Sequence, residues 1–133
     1  FKKGKPLGEI AMPRQGMATS NNDRFLRYWY ETPLNKIGFN ISSRNESLNT
    51  GKKWFPYNKG GGFRKWYGFQ EYLVNWENDG SELLAFAAQL YGSPTRTIKN
   101  IGFYFQKSIT FSAKISVGFL PIYFLPLFYT FSI

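Results

Sequence analysis

Apolar residues recur along this chain with two different spacings, and the changes between them mark its elements. Within residues 34–43, Ile37, Phe39 and Ile41 fall at every second position, the period of a strand with one buried face. Within residues 81–90, Leu83, Phe86, Ala87 and Leu90 fall on one stripe of a helix. Asp79 with Glu82 three residues on resembles a capping box that opens this helix, and Gly92 closes it. Its stripe is expected to pack on a sheet. Upstream, residues 19–22 are a run of hydroxyl and amide side chains suited to the free N–H groups of a helix start. They predict a helix over 23–30, with Phe25, Leu26 and Trp29 on one face, and Pro33 as its stop.

Short aromatic runs at 54–57, 63–67 and 72–76, separated by glycines, predict an antiparallel meander, with 44–51 as a polar turn before it. Residues 1–8 read as an extended connector, 10–16 as a strand running into a turn, 93–102 as a polar loop and 103–112 as a strand. Residues 115–133 carry no charge, close to the ~20 apolar residues of a membrane-spanning helix. Pro121 and Pro126 interrupt that run, so a buried strand pair, or a tail covered by a longer protein, is the expectation, with no membrane contact. The fold class is therefore α+β: a small antiparallel sheet packed with about two helices.

A chain of 133 residues has room for one small domain. It begins at Phe1 with no visible signal peptide, which reads as a piece of something longer. The net charge of +9 is unevenly placed: residues 1–66 hold 13 lysines and arginines against 4 acids, and residues 67–133 hold 4 against 4. Such polarity steers a protein towards polyanions. With neither cysteine nor histidine, the usual structural zinc sites, thiol catalysis and histidine triads are excluded, and the lack of cysteine suits a cytoplasmic protein. Glu77 and Asp79 are the one close acid pair, and a turn with a helix cap uses both. No P-loop pattern and no dinucleotide-binding glycine pattern occurs. The residues read as those of a binder.

The candidate surface is residues 51–67, where Lys52, Lys53, Lys59, Arg64 and Lys65 interleave with Trp54, Phe55, Tyr57, Phe63, Trp66 and Tyr67, and no acid occurs. Cations neutralise phosphates and release counterions, and flat rings stack on bases. The lysines and arginines are candidates for phosphate, and Trp54, Tyr57 and Trp66 for stacking or wedging. Arg14, Arg24 and Arg27 come next. The same composition equally fits a β-hairpin whose rings are core and whose lysines are merely solvated.

Residues 13–27, PRQGMATSNNDRFLR, resemble the segment that follows the catalytic domain in gamma-class N6-adenine DNA methyltransferases. The general pattern there is Gly-x-x-Thr-Gly-x-Asn-x-x-Phe, matched by Gly16, Thr19, Asn22 and Phe25, with Ser20 where glycine is usual. Residues 53–68, KWFPYNKGGGFRKWYG, and 74–80, VNWENDG, are similar to a narrower branch, the PglX methyltransferases of BREX phage-defence systems and related type II restriction-modification enzymes. Ile109-Thr110-Phe111-Ser112 resembles that branch's Ile-Thr-Trp-Ser segment. The resemblance runs from about residue 6 to 118 and fades beyond, so 1–118 reads as a target-recognition-like region and 119–133 as an apolar tail of uncertain frame or packing.

In that family a catalytic domain binds S-adenosylmethionine and holds the flipped adenine with an Asn-Pro-Pro-Tyr motif; neither that motif nor the cofactor glycine motif occurs in this chain. The resemblance thus implies a target-recognition portion of an adenine-specific methyltransferase. It would bind double-stranded DNA beside the catalytic domain of the same longer polypeptide, with no cofactor or catalysis of its own. Thr19 and Asn22 would order the turn into the first helix, near the catalytic face. Two other readings stay open: a free-standing single-stranded DNA or RNA-binding module, and a glycan-binding or structural β-domain.

Overall fold

A row of apolar side chains running across three strands organises the core. The computed structural model describes residues 4, 9, 14–59, 68 and 70–108. Strands β1 (Leu26–Tyr28), β2 (Trp54–Tyr57) and β3 (Tyr72–Asn75) form an antiparallel sheet in the order β1-β3-β2. Pairing sets Leu26 opposite Val74 and Val74 opposite Phe55, and two residues along it sets Tyr28, Tyr72 and Tyr57 in line. Residues directly opposite share a face, so Leu26, Val74, Phe55 and Tyr57 all turn inward. They are buried in one cluster with Met17, Phe25, Ile41, Trp76, Ile98, Tyr104 and Phe105.

Helices α1 (Asn22–Phe25), α2 (Arg44–Asn49) and α3 (Glu77–Tyr91) and four short 3-10 turns complete the described part. α3 adds Leu83 and Ala87 to the core, and Phe86 packs at its border with its ring 5.2 Å from that of Phe25. Leu90, expected on the same stripe, is exposed. The α+β class and the antiparallel sheet match the reading of the sequence. The strand order is not that of a simple succession, because β3 lies between the other two.

Several local expectations give way to tertiary pairing. The helix predicted over 23–30 lasts one turn: Asn21 caps it by accepting the Arg24 N–H at 3.0 Å, and the chain then straightens at Leu26 to pair with β3. Strand pairing outweighs helix propensity here, since it buries Leu26 completely enough to join the core. The strand expected over 34–43 is absent. Leu34–Lys36 is a 3-10 turn, Ile37 makes a parallel bridge to Trp54, and Ile37 and Ile41 are buried while Phe39 is exposed. Gly38 lies against the ring of Phe55, which leaves no space for a Cβ.

The polar segment 44–51 is a helix rather than a turn. Ser43 accepts the Glu46 N–H at 3.1 Å, and Glu46 reaches back to Ser42 at 2.8 Å from its N–H and 2.6 Å from its hydroxyl. Those bonds from Ser42 hold the Glu46 carboxyl below the usual carboxylate range. Residues 93–102 contain two 3-10 turns, and Ile98 bridges to Met17 in the core. Within 103–108 no strand forms: Tyr104 and Phe105 are buried after the turn Ile101–Phe103. The expectations for residues 1–8, 10–13, 63–67, 109–112 and 115–133 lie outside the described residues. No helix among the described residues is long and apolar enough to cross a membrane.

The entry to α3 is unusual. Asn78, Asp79 and Gly80 are all left-handed, with φ of 50°, 59° and 75°, and regular helix begins only after them. The expected capping box does not form. The Asp79 carboxylate takes both arms of the Arg44 guanidinium and the Trp76 Nε1–H at 3.2 Å, tying α2 to α3. That pairing also raises the Arg44 guanidinium above its ordinary pKa. Glu82 instead accepts from Arg24 and from the buried Asn75. At the far end Gly92, with φ of 75°, closes the helix through its N–H to Ala88, as the sequence indicates.

Candidate nucleic-acid interface

The strand period sorts the candidate rings of β2. Trp54 and Tyr57 are an odd number of residues apart and so face opposite ways. Trp54 shares the outer face with Arg27, whose guanidinium lies 5.5 Å from the indole centroid. Tyr57 lies inside: it is buried, and its hydroxyl donates to the Met17 carbonyl at 2.9 Å. It is therefore a core residue and not a stacking ring. Burial pushes its phenol well above the ordinary tyrosine value. A raised folded-state pKa gives a stabilisation that is complete below the unfolded value of about 10 and is lost as the pH climbs beyond it. Tyr57→Phe should therefore lose about 1 kcal/mol at pH 7, and the gap to the parent should narrow above pH ~10. Urea denaturation at the two pH values measures both; a gap that widens in alkali would contradict the assignment.

The basic candidates separate in the same way. Lys53 pairs with Glu77 at 3.1 Å, and Arg24 pairs with Glu82 at 2.7 Å while lying over Phe25 and Phe86. The arginine hydrogen bond comes first among the causes that hold the Glu82 carboxyl below its ordinary range. Residues 51–67 contain no acid, yet the fold brings acids to two of the candidate cations from the start of α3. Lys52 donates to the Asn35 carbonyl at 2.5 Å. Arg14 stacks 4.1 Å over Phe103 and donates to Asn100 at 3.2 Å.

Arg27 and Lys59 meet at a cleft. It has a volume of about 380 Å³ and is lined by Asn22, Asp23, Leu26, Arg27, Tyr28, Glu31, Lys59 and Tyr72. Arg27 donates to the carbonyls of Asp23 and Leu26, both at 2.6 Å, and the Lys59 ammonium sits 4.8 Å from the Tyr72 ring centroid. The Tyr28 and Tyr72 hydroxyls are 3.0 Å apart, and this contact leads the causes that raise the Tyr72 phenol above its ordinary value.

The turn leading into the cleft explains a feature of the sequence. Thr19 is buried and donates to Asn22 Oδ1 at 2.6 Å, across the turn that leads into α1. Ser20 between them has φ of 60°, the left-handed region in which a Cβ is costly. A glycine at that position would adopt it freely.

Two rings at the end of β1 lie outside the candidate set. The helical spacing places Trp29 on a buried face, yet Trp29 is 50% and Tyr30 64% exposed. Once β1 ends at Tyr28, the 3-10 turn Trp29–Glu31 carries both rings outward. The signal available was the run Tyr28-Trp29-Tyr30 itself, too aromatic at consecutive positions for one buried helix stripe. Arg64, Lys65 and Trp66 lie outside the described residues.

No protein-family model matches the chain. It is 41% identical over 107 residues to the adenine-specific methyltransferase PglX of Lacticaseibacillus casei (strain Zhang), a match that covers 80% of this chain and 9% of that protein. It is 37% identical over 121 residues to the adenine-specific methyltransferase BrxX of Escherichia coli O9:H4 (strain HS), covering 90% of this chain and 8% of that protein. The chain thus spans less than a tenth of the length of these curated relatives. Over most of its own length it is a homologue of a short stretch of the adenine-specific methyltransferases PglX and BrxX, and it fits as a fragment of such an enzyme.

Proposed function

We propose that this chain is a DNA-binding, target-recognition portion of an adenine-specific DNA methyltransferase of a phage-defence or restriction-modification system. The observation that carries the reading is a pair of cation–ring contacts, one on the outer face of the sheet and one at the cleft. Arg27 lies over Trp54 on that face, and Lys59 lies over Tyr72 where the cleft meets the border of the core, cations set against flat rings in a homologue of adenine-specific methyltransferases. Arg27, Lys59 and Trp54 form the proposed contact set for double-stranded DNA. Lys52 joins them, and Lys53 contributes less because the Glu77 carboxylate already pairs with it. Arg64, Lys65 and Trp66 extend the set by their place in the sequence.

Methyl transfer is assigned to the catalytic domain of the longer polypeptide, in the cytoplasm. The described residues do not fit an S-adenosylmethionine site: their sheet is antiparallel throughout, whereas nucleotide-type cofactors sit on glycine loops at the ends of parallel strands.

Fluorescence anisotropy of the chain on duplex DNA across a salt series tests the reading. Affinity should fall steeply with salt, and Lys59→Ala and Arg27→Ala should each shallow the log–log slope by about 0.9 for a lost phosphate contact. Binding that ignores salt would instead favour a glycan-binding or structural role, and a preference for single strands would favour a single-strand module.

A further inference from the structure

Residues 92–108 carry Arg96, Lys99 and Lys107 and no acid, and the fold brings Arg14 beside them. An antiparallel bridge joins Met17 to Ile98, with the Ala18 N–H donating to the Thr97 carbonyl at 2.8 Å and the Lys99 N–H to the Gly16 carbonyl at 3.4 Å. Ile98 turns into the core, so its neighbour Lys99 turns out, opposite a glycine with no side chain to cover it. Arg96 is exposed at the end of the 3-10 turn Pro94–Arg96, just past the close of α3.

Arg14 is held in place on the same surface. Its guanidinium lies 4.1 Å over the Phe103 ring and donates to Asn100 Oδ1 at 3.2 Å, while the Asn100 amide donates to the Gln15 carbonyl at 2.8 Å. A cation positioned beforehand loses less side-chain entropy when it meets a ligand. The Phe103 ring itself is exposed and adds a flat apolar edge.

Acids keep away from this surface. Glu77, Asp79 and Glu82 all sit at the opposite end of α3, and ten residues of helix put about 15 Å between Glu82 and Gly92. No ion pair among the described residues engages Arg96 or Lys99. Glu9, the nearest acid to Arg14 in sequence, is exposed. The cleft differs, for there Asp23 and Glu31 stand beside Arg27 and Lys59.

We infer that Arg14, Arg96 and Lys99 form a second contact surface for the phosphate backbone of duplex DNA, separate from the face that holds Arg27 and Trp54. The inference rests on the DNA-binding reading and adds a surface to it. Segment 14–22 runs from Arg14 to Asn22 in the lining of the cleft. Its eight residue steps span at most about 29 Å, within about nine base-pair steps of 3.4 Å. A single turn of duplex is therefore long enough to reach both surfaces.

Anisotropy of the full chain on a duplex two turns long, across a salt series, tests the second surface. The double variant Arg96→Ala, Lys99→Ala should shallow the log–log slope by about 1.8, or about 0.9 for each lost phosphate contact. The same loss should appear in the Lys59→Ala background, because distant sites act additively. Both replaced side chains are exposed and outside any ion pair, and thermal melting checks the fold. In parallel, acetic anhydride labels the lysines of the parent chain, and duplex should shield Lys99 from acetylation as read by mass spectrometry. A slope unchanged by the double variant would overturn this inference, and the effect of Lys59→Ala then reports separately on the DNA-binding reading. A shallower slope with Lys99 still fully labelled would also overturn it, since the cations would then act only through their distant field. No binding to duplex by the folded parent would overturn both.

Discussion

Trp76→Ala is expected to destabilise the chain by about 3–5 kcal/mol, the cost of deleting a fully buried indole. The side chain is 1% exposed, stands edge-on to Tyr104 at 5.3 Å, lies against Gly80 and donates to Asp79. Its removal opens a cavity where the sheet meets α3. It also takes one donor from a carboxylate that holds Arg44. A domain of this size has about 5–15 kcal/mol in all, so the variant should be only marginally folded at 37 °C. Trp76→Phe keeps much of the ring and should lose less, about 1–2 kcal/mol. Urea denaturation followed by far-UV circular dichroism reads both. Equal loss from the two variants would mean that the Nε1 bond to Asp79, rather than packing, carries the effect.

Gly80→Ala should cost about 2–5 kcal/mol, from two separate causes. A left-handed residue with a Cβ costs roughly 1–2 kcal/mol, and Gly80 has φ of 75°. The added carbon would also lie 2.6 Å from Cε3 and Cζ3 of Trp76, a ring too enclosed to move aside. Overpacking of this kind costs about 1–3 kcal/mol. Asparagine tolerates the left-handed region better than alanine, yet it carries the same Cβ. Gly80→Asn is therefore expected to be no more stable than Gly80→Ala in the same denaturation series. A clear advantage for asparagine would show that backbone strain dominates and that the Trp76 ring yields.

Most of the fold was legible where one local signal agreed with the packing. The stripe of α3, its glycine stop, and the strands at 54–57 and 72–75 were visible because hydrophobic period and turn residues pointed the same way. Helix α2 carries a local signal, the serine-to-glutamate spacing of Ser43 and Glu46 at a helix start, within a run of polar residues that equally suits a turn. β1 had no adequate local signal. Residues 25–29 carry a helical spacing, and only the distant β3 makes Leu26–Tyr28 a strand.

The candidate surface divides along the same line. Trp54 and Tyr57 were separable by strand period, since one outward ring implies that the other faces in. The neutralisation of Lys53 and Arg24 was not separable, because Glu77 and Glu82 lie 24 and 58 residues away in sequence. Charge counted along a segment says little about charge available at a surface when the compensating acids come from another element. Trp29 and Tyr30 were hidden for the reason that hid β1: their exposure follows from where the strand ends.

The bridge from Ile37 to Trp54 has a consequence for how this sheet can grow. Residues 36–38 run along the outer side of β2, with the Lys53 N–H donating to the Lys36 carbonyl at 3.3 Å and the Gly38 N–H to the Trp54 carbonyl at 2.8 Å. That flank is closed to further pairing. Among the described residues the open flank is β1, three residues long and bounded by the cleft. A strand supplied by another part of a longer polypeptide would have to join there. Any such addition would bring a new segment to the wall of the cleft, coupling assembly of the larger protein to the shape of the surface proposed to meet DNA. So short an edge also offers few backbone groups to stray chains, which guards the exposed side of the sheet against aggregation.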